Sequence, residues 1–106
     1  RSEREVVFIT EGALNALAVR RALSGAVVAG IGGSSNFNGD QAVKLGTFRR
    51  AIALTDPDLA GDKAAKQIEL RIGARTLVIR ARLPRGKDAL DIGPTKLAEV
   101  LRRSAL

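Results

Sequence analysis

Cysteine, histidine, methionine, tryptophan and tyrosine are all absent from the 106 residues, and the three phenylalanines are the only aromatics. Without cysteine there is no disulfide framework and no thiol nucleophile; without histidine as well there is no Cys/His zinc site and no His-based triad. Catalysis must therefore run on carboxylates, lysines, arginines, hydroxyls or a hard metal ion. No apolar run approaches the roughly 20 residues of a membrane span, and no signal-peptide pattern is present, so a cytoplasmic protein without membrane association is expected. The scarcity of aromatics leaves little platform for stacking bases: Phe8 reads as core, and Phe37, in a glycine-rich loop, is the one candidate stacker. No GxxxxGK[ST] segment exists, which removes the P-loop class, and Gly30, Gly32 and Gly33 fail as a dinucleotide fingerprint because Ser35 stands where the third glycine belongs.

What is present is a chain 45% hydrophobic, sufficient for one core, so residues 1–106 are expected to form a single domain. Eighteen Lys and Arg against eleven Asp and Glu give a formal net charge of +7, and thirteen of the eighteen are arginine. A polyanionic partner follows from that balance.

Apolar runs alternate with helical periods. Residues 5–10 (EVVFIT) read as a buried strand, and a helix over 13–23 places Leu14, Leu17, Ala18 and Ala22 along one face. Residues 26–30 form a second strand leading into a loop rich in Gly and Asn, after which Asp40 can cap a short helix to about Leu45. A third strand over 50–55 ends in Asp56-Pro57-Asp58. The helix expected over 59–72 carries Ala60, Ala64, Ile68 and Ile72 at four-residue spacing and stops at Gly73. A fourth strand over 75–81, a loop to Gly93, and a helix from Pro94 with Leu97, Val100 and Leu101 buried complete the chain. The βα alternation with strands too apolar for a half-exposed sheet predicts an α/β fold, a four-stranded mostly parallel sheet with helices on both faces.

In such sheets ligands bind at the carboxyl ends of the strands. Five of the eleven acids fall there: Glu11 after the first strand, Asp56 and Asp58 after the third, Asp88 and Asp91 after the fourth. Carboxylates from separate loops suit a hard divalent cation such as Mg²⁺, with Mn²⁺ as a substitute. If Asp56-Pro57-Asp58 stays extended, both acids point to one side and can hold metal against a phosphate. Lys63, Lys87, Arg82 and Arg85 ring this edge, which gives the pattern of phosphoryl transfer on nucleic acid. The plainer reading of Asp58 is a helix N-cap, and of Asp-Pro a turn.

Glu11-Gly12 closing a strand, then Asp56-Pro57-Asp58-Leu59-Ala60-Gly61 between a strand and a helix, resemble the Toprim domain, a Rossmann-like fold shared by bacterial-type primases, type IA and II topoisomerases and certain nucleases. The resemblance runs from Val6 to about Leu101. It leans to bacterial and phage DNA primases through residues 9–18 (ITEGALNALA), 58–65 (DLAGDKAA) and 83–91 (LPRGKDALD). The resemblance implies Glu11 as metal ligand or general acid/base, Asp56 and Asp58 as catalytic metal ligands, and Asp88 as a further ligand. Gly12 and Gly61 would allow close backbone approach, and Lys63 and Lys87 would face phosphates. It also implies a Mg²⁺-dependent nucleotidyltransferase of DNA replication, making RNA primers from ribonucleotides on single-stranded DNA.

Asn15 stands where primases usually have aspartate, and Asp91 is three residues from Asp88 rather than two, which weakens it as a ligand. Thr55–Asp58 is also shared with 5S ribosomal RNA maturases, so a metal-dependent nuclease acting on RNA or DNA is the alternative. A non-catalytic nucleic-acid-binding module is a third. Beginning at Arg1 rather than Met, the chain is expected to be either the core of a longer primase, flanked by other primase domains or a helicase, or a small stand-alone Toprim protein.

Overall fold

The computed structural model describes residues 6–31, 47–56, 58–84, 87 and 89–105. Glu5, the expected helix from Asp40, Phe37, Arg85 and Asp88 lie outside them. The described elements are β1 (Val6–Thr10), α1 (Ala13–Ala22), β2 (Val28–Gly30), β3 (Arg50–Leu54), α2 (Leu59–Ile72), β4 (Leu77–Arg80) and α3 (Gly93–Ala105). The strands form one sheet in the order β2-β1-β3-β4, and every pairing is parallel. This is the expected α/β architecture, with strand ends one or two residues shorter than the apolar runs suggest.

Alternation along the two central strands divides the core. Val7, Ile9, Ala51 and Ala53 face α2, where they pack with Ile68 and Ile72. Phe8, Ile52 and Leu54 face the other way, against Ala18 and Val19 of α1 and Leu97 and Leu101 of α3. Alanines at 51 and 53 and at Ala64 let α2 sit close to the sheet, while the larger side chains fill the thicker layer under two helices. β3 is buried on both faces from Ala51 to Leu54, as a central parallel strand requires.

α1 departs from the expected face. Ala16, Ala18 and Val19 are buried, whereas Leu14 and Leu17 are 67% and 43% exposed. The helix is wedged between sheet and α3, and that position selects its small residues for close approach. Ala60 likewise lies exposed at the start of α2, and Gly61 takes the buried place.

Two hydrogen bonds set the start of β4: the Thr76 hydroxyl donates to the Phe48 carbonyl at 2.9 Å, and the Leu77 N–H to the Arg49 carbonyl at 3.0 Å. The topology then fixes where a ligand can enter. From β1 the chain crosses to β2 on one side, and from β3 to β4 on the other. Right-handed crossovers in opposite directions put α1 and α2 on opposite faces and open a crevice between the carboxyl ends of β1 and β3. Because Thr10 pairs in register with Leu54, Glu11 and the Thr55-Asp56 pair leave the sheet side by side at that crevice.

Candidate functional site

Glu11 is half-buried at the switch point. Burial, and then the negative charges of Asp56 and Asp58, push its carboxyl above the ordinary value; a hydrogen bond from the Asp56 backbone N–H and the nearby Arg80 charge pull the other way and do not cancel it. Glu11 thus feels the charge of both acids of the loop after the neighbouring strand. Among the described residues, no three carboxylates converge closely enough to hold an ion between them. Asp88, the fourth expected ligand, lies outside the described residues, and Asp91 is exposed.

Asp58 itself has extended backbone, with φ −140° and ψ −179°. The Asp58 N–H donates back to the Asp56 carbonyl at 2.8 Å, closing the loop over two residues. Asp58 then caps α2, its Oδ1 accepting from the Gly61 N–H at 2.7 Å. The N-cap reading of Asp58 and its place in the acidic pocket are both realised, one carboxylate oxygen being taken up by the helix.

The two expected glycines differ in kind. A Cβ at Gly61 would lie 1.8 Å from the Asp56 carbonyl oxygen, so the first turn of α2 packs directly on the acidic loop and admits no side chain there. Gly12 has φ −123° and ψ 164°, a conformation open to any residue, and a Cβ there would meet nothing within 4 Å. Its carbonyl accepts from the Thr10 hydroxyl at 3.1 Å and from the Ala16 N–H at 3.2 Å. Among the described residues no contact demands glycine at 12. Lys63 and Lys87 are exposed, and Asn15 is half-buried on the first turn of α1.

Arg80, at the end of β4, is a residue the sequence reading passed over. Its Nη2 donates to the Asp56 carbonyl at 2.7 Å and its Nη1 to the Asp62 carboxylate. One guanidinium thus ties β4, the first turn of α2 and the acidic loop together. An arginine ending an otherwise apolar strand, LVIR, is the signal that could have found it.

The carboxylate and carbonyl oxygens of this edge are of the donor type a hard divalent cation takes. Mg²⁺ commonly takes one or two carboxylates and keeps several waters, so it needs no closed protein cage. The like-charge pressure on Glu11 is the field that such a cation would relieve.

The profile of a family described as Toprim-like matches residues 8–92. Among solved structures, the primase fragment of the bacteriophage T7 primase-helicase protein superposes with a TM-score of 0.79 at 22% identity, covering 96% of this chain and 44% of that one. The Aquifex aeolicus primase, comprising zinc-binding and RNA polymerase domains, gives 0.73 at 27% identity, with 94% and 25% covered. A small TOPRIM domain protein from Bacillus stearothermophilus gives 0.69 at 22% identity, with 97% and 90% covered. The chain therefore spans less than half of the T7 fragment and a quarter of the A. aeolicus chain, but nearly all of the small protein. A comparison with curated proteins gives no significant match.

Proposed function

Because this chain belongs to the Toprim-like family, matched over residues 8–92, we propose that it is a metal-dependent phosphoryl-transfer domain acting on nucleic acid, and within that class the catalytic core of a DNA primase. The observation that carries the reading is that Glu11, at the switch point, feels the negative charge of Asp56 and Asp58 in a chain of net charge +7. Toprim domains generally bind divalent metals; Mg²⁺, replaceable by Mn²⁺, would be held by Glu11, Asp56 and Asp58, with Asp88 completing the set, and would neutralise phosphate charge during transfer. The chain's own residues have separate tasks. Gly12 leaves room for a phosphate or sugar to approach the backbone, and Arg80 fixes the Asp56 carbonyl. Lys63 and Lys87 supply positive charge at the rim, where they steer the polyanion. Without the cation Glu11 holds its proton more tightly than an ordinary carboxylate, so cation and proton would compete for it.

Primer synthesis would require single-stranded DNA as template, ribonucleotides as substrates, and flanking primase domains or a helicase as partners. The similarity to the primase of A. aeolicus at 27% identity favours this assignment over the nuclease alternative. The test is Mg²⁺-dependent incorporation of ribonucleotides on a single-stranded DNA template by the full-length protein carrying these residues, with Asp56→Ala beside it. Template-dependent RNA product that vanishes in the variant supports the assignment; product that survives Asp56→Ala overturns it. Metal-dependent cleavage of RNA or DNA without nucleotides would assign a nuclease instead. Binding of nucleic acid with neither activity would assign a non-catalytic module.

A further inference from the structure

Beside the acidic pocket lies a cavity of about 760 Å³ at the carboxyl ends of β3 and β4, its wall formed by Thr55, Asp62, Arg80, Ala81, Arg82 and Leu83. Glu11, Asp56 and Asp58 do not line it; Arg80 joins the two regions through the Asp56 carbonyl. The volume falls in the range of pockets that hold small molecules.

Three features of the wall specify an anion. The Arg80 guanidinium is pinned by Asp62 and by the Asp56 carbonyl, which uses two of its five N–H donors and leaves three in a fixed fork. Arg82, two residues further on, is exposed and has no ion pair among the described residues, whereas the charge of Arg80 is matched by Asp62. Among the described residues, Thr55 is 2% exposed and its hydroxyl meets no hydrogen-bond partner, whereas the buried Thr10 and Thr76 are satisfied by the Gly12 and Phe48 carbonyls. A buried hydroxyl left unpaired carries its full desolvation cost, which a ligand oxygen reached by a turn of the side chain would offset. Beside these polar groups, Ala81 and Leu83 offer an apolar surface. Fixed arginine donors suit phosphate oxygens, and the apolar wall suits the nucleoside attached to them.

We infer that this cavity is a mononucleotide subsite that works without metal, Arg82 and the free edge of Arg80 taking the phosphate, Thr55 adding a hydroxyl, and Ala81 and Leu83 lying against the nucleoside. It rests on the reading that the domain acts on nucleic-acid phosphates, and it names where one nucleotide of that substrate sits.

The test is titration of the ¹⁵N-labelled chain with AMP, with inorganic phosphate and with adenosine, all in EDTA so that the acidic pocket plays no part. AMP should shift the amides of Thr55, Ala81, Arg82 and Leu83 and bind more tightly than phosphate or adenosine. Arg82→Glu should weaken AMP by about tenfold or more, the effect of losing one charge-assisted contact. Thr55→Val should weaken AMP while leaving the melting temperature equal or higher, since it deletes an unpaired hydroxyl. Shifts that are absent or centred elsewhere at millimolar AMP, AMP no tighter than phosphate, or affinity indifferent to Arg82→Glu would each overturn the subsite. A melting temperature lowered by Thr55→Val would remove Thr55 from it. A failed metal site would leave these outcomes unchanged, so the two readings fall separately.

Discussion

Replacing Gly61 by alanine asks whether the first turn of α2 and the acidic loop are one packed unit. Helix propensity alone favours the change by about 1 kcal/mol. The added Cβ, however, would sit 1.8 Å from the Asp56 carbonyl oxygen, 2.7 Å from its carbonyl carbon and 2.9 Å from its nitrogen. A carbon needs about 3.3 Å from such an oxygen, so about 1.5 Å of separation must be found. The Asp56 carbonyl cannot move freely, because it accepts from Arg80 at 2.7 Å and from the Asp58 N–H at 2.8 Å. The helix cannot retreat either without lengthening the 2.7 Å cap from Gly61 N–H to Asp58. Overpacking costs about 1–3 kcal/mol, and a damaged cap adds about 1 kcal/mol. Strained hydrogen bonds at Asp56 add about 1 kcal/mol more. After subtracting the gain in propensity, the net loss is about 2–4 kcal/mol, of order 15 °C in melting temperature for a chain of this size. Urea unfolding followed by circular dichroism reads it as a fall in midpoint at unchanged slope. A Gly61→Ala protein as stable as the parent, or more stable, would refute the packing.

Gly12→Ala is the counterpart: with open space and an extended backbone it should cost no more than about 1 kcal/mol, yet reduce phosphoryl transfer by about a hundredfold by obstructing substrate approach, as steady-state assays would show. Asp58→Asn should keep α2 capped and the melting temperature within about 3 °C, while Asp58→Ala loses about 1 kcal/mol; Mn²⁺ affinity, followed by electron paramagnetic resonance, should fall in both. Glu11 is raised from its ordinary value of 4.5, so its ionised form disfavours the native state. The stability linked to this group is complete below 4.5 and declines as pH climbs from there through the raised value. Glu11→Gln should accordingly be more stable than the parent at neutral pH without metal and should show a flatter melting temperature across that window. Arg80→Lys, which cannot span both the Asp56 carbonyl and Asp62 with a planar fork, should weaken Mn²⁺ binding with only a small change in melting temperature.

Much of this was legible in the residues. The run VVFIT could only be a buried strand, and Asp58 followed by Ala64, Ile68 and Ile72 announced both the cap and the buried face of α2. The crevice followed from parallel βα alternation, since the acids stand after strands one and three. In α1 the apolar period marks Leu14 and Leu17 as core beside Ala18, whereas packing against the sheet and α3 buries Ala16, Ala18 and Val19, a tertiary choice with no local signal. At Gly61 the resemblance implies room for a phosphate, whereas the space is taken by the Asp56 carbonyl, a backbone atom that no side-chain pattern names. Arg80 escaped for a related reason: an arginine at a strand end looks solvated until the loop across from it is in place. The bend that returns the Asp58 N–H to Asp56 was hidden by the preference of a residue before proline for extended backbone.

Glu11, Asp56 and Asp58 are proposed to form one divalent-cation site. Mn²⁺ titration of the ¹⁵N-labelled chain, mapped by paramagnetic broadening, tests it most directly. Broadening should centre on the amides of Glu11, Gly12, Asp56 and Asp58, be abolished by Asp56→Ala and be competed away by Mg²⁺. Sharp amides there at millimolar Mn²⁺, or broadening spread over surface carboxylates such as Glu69 and Glu99 and unaffected by Asp56→Ala, would contradict it.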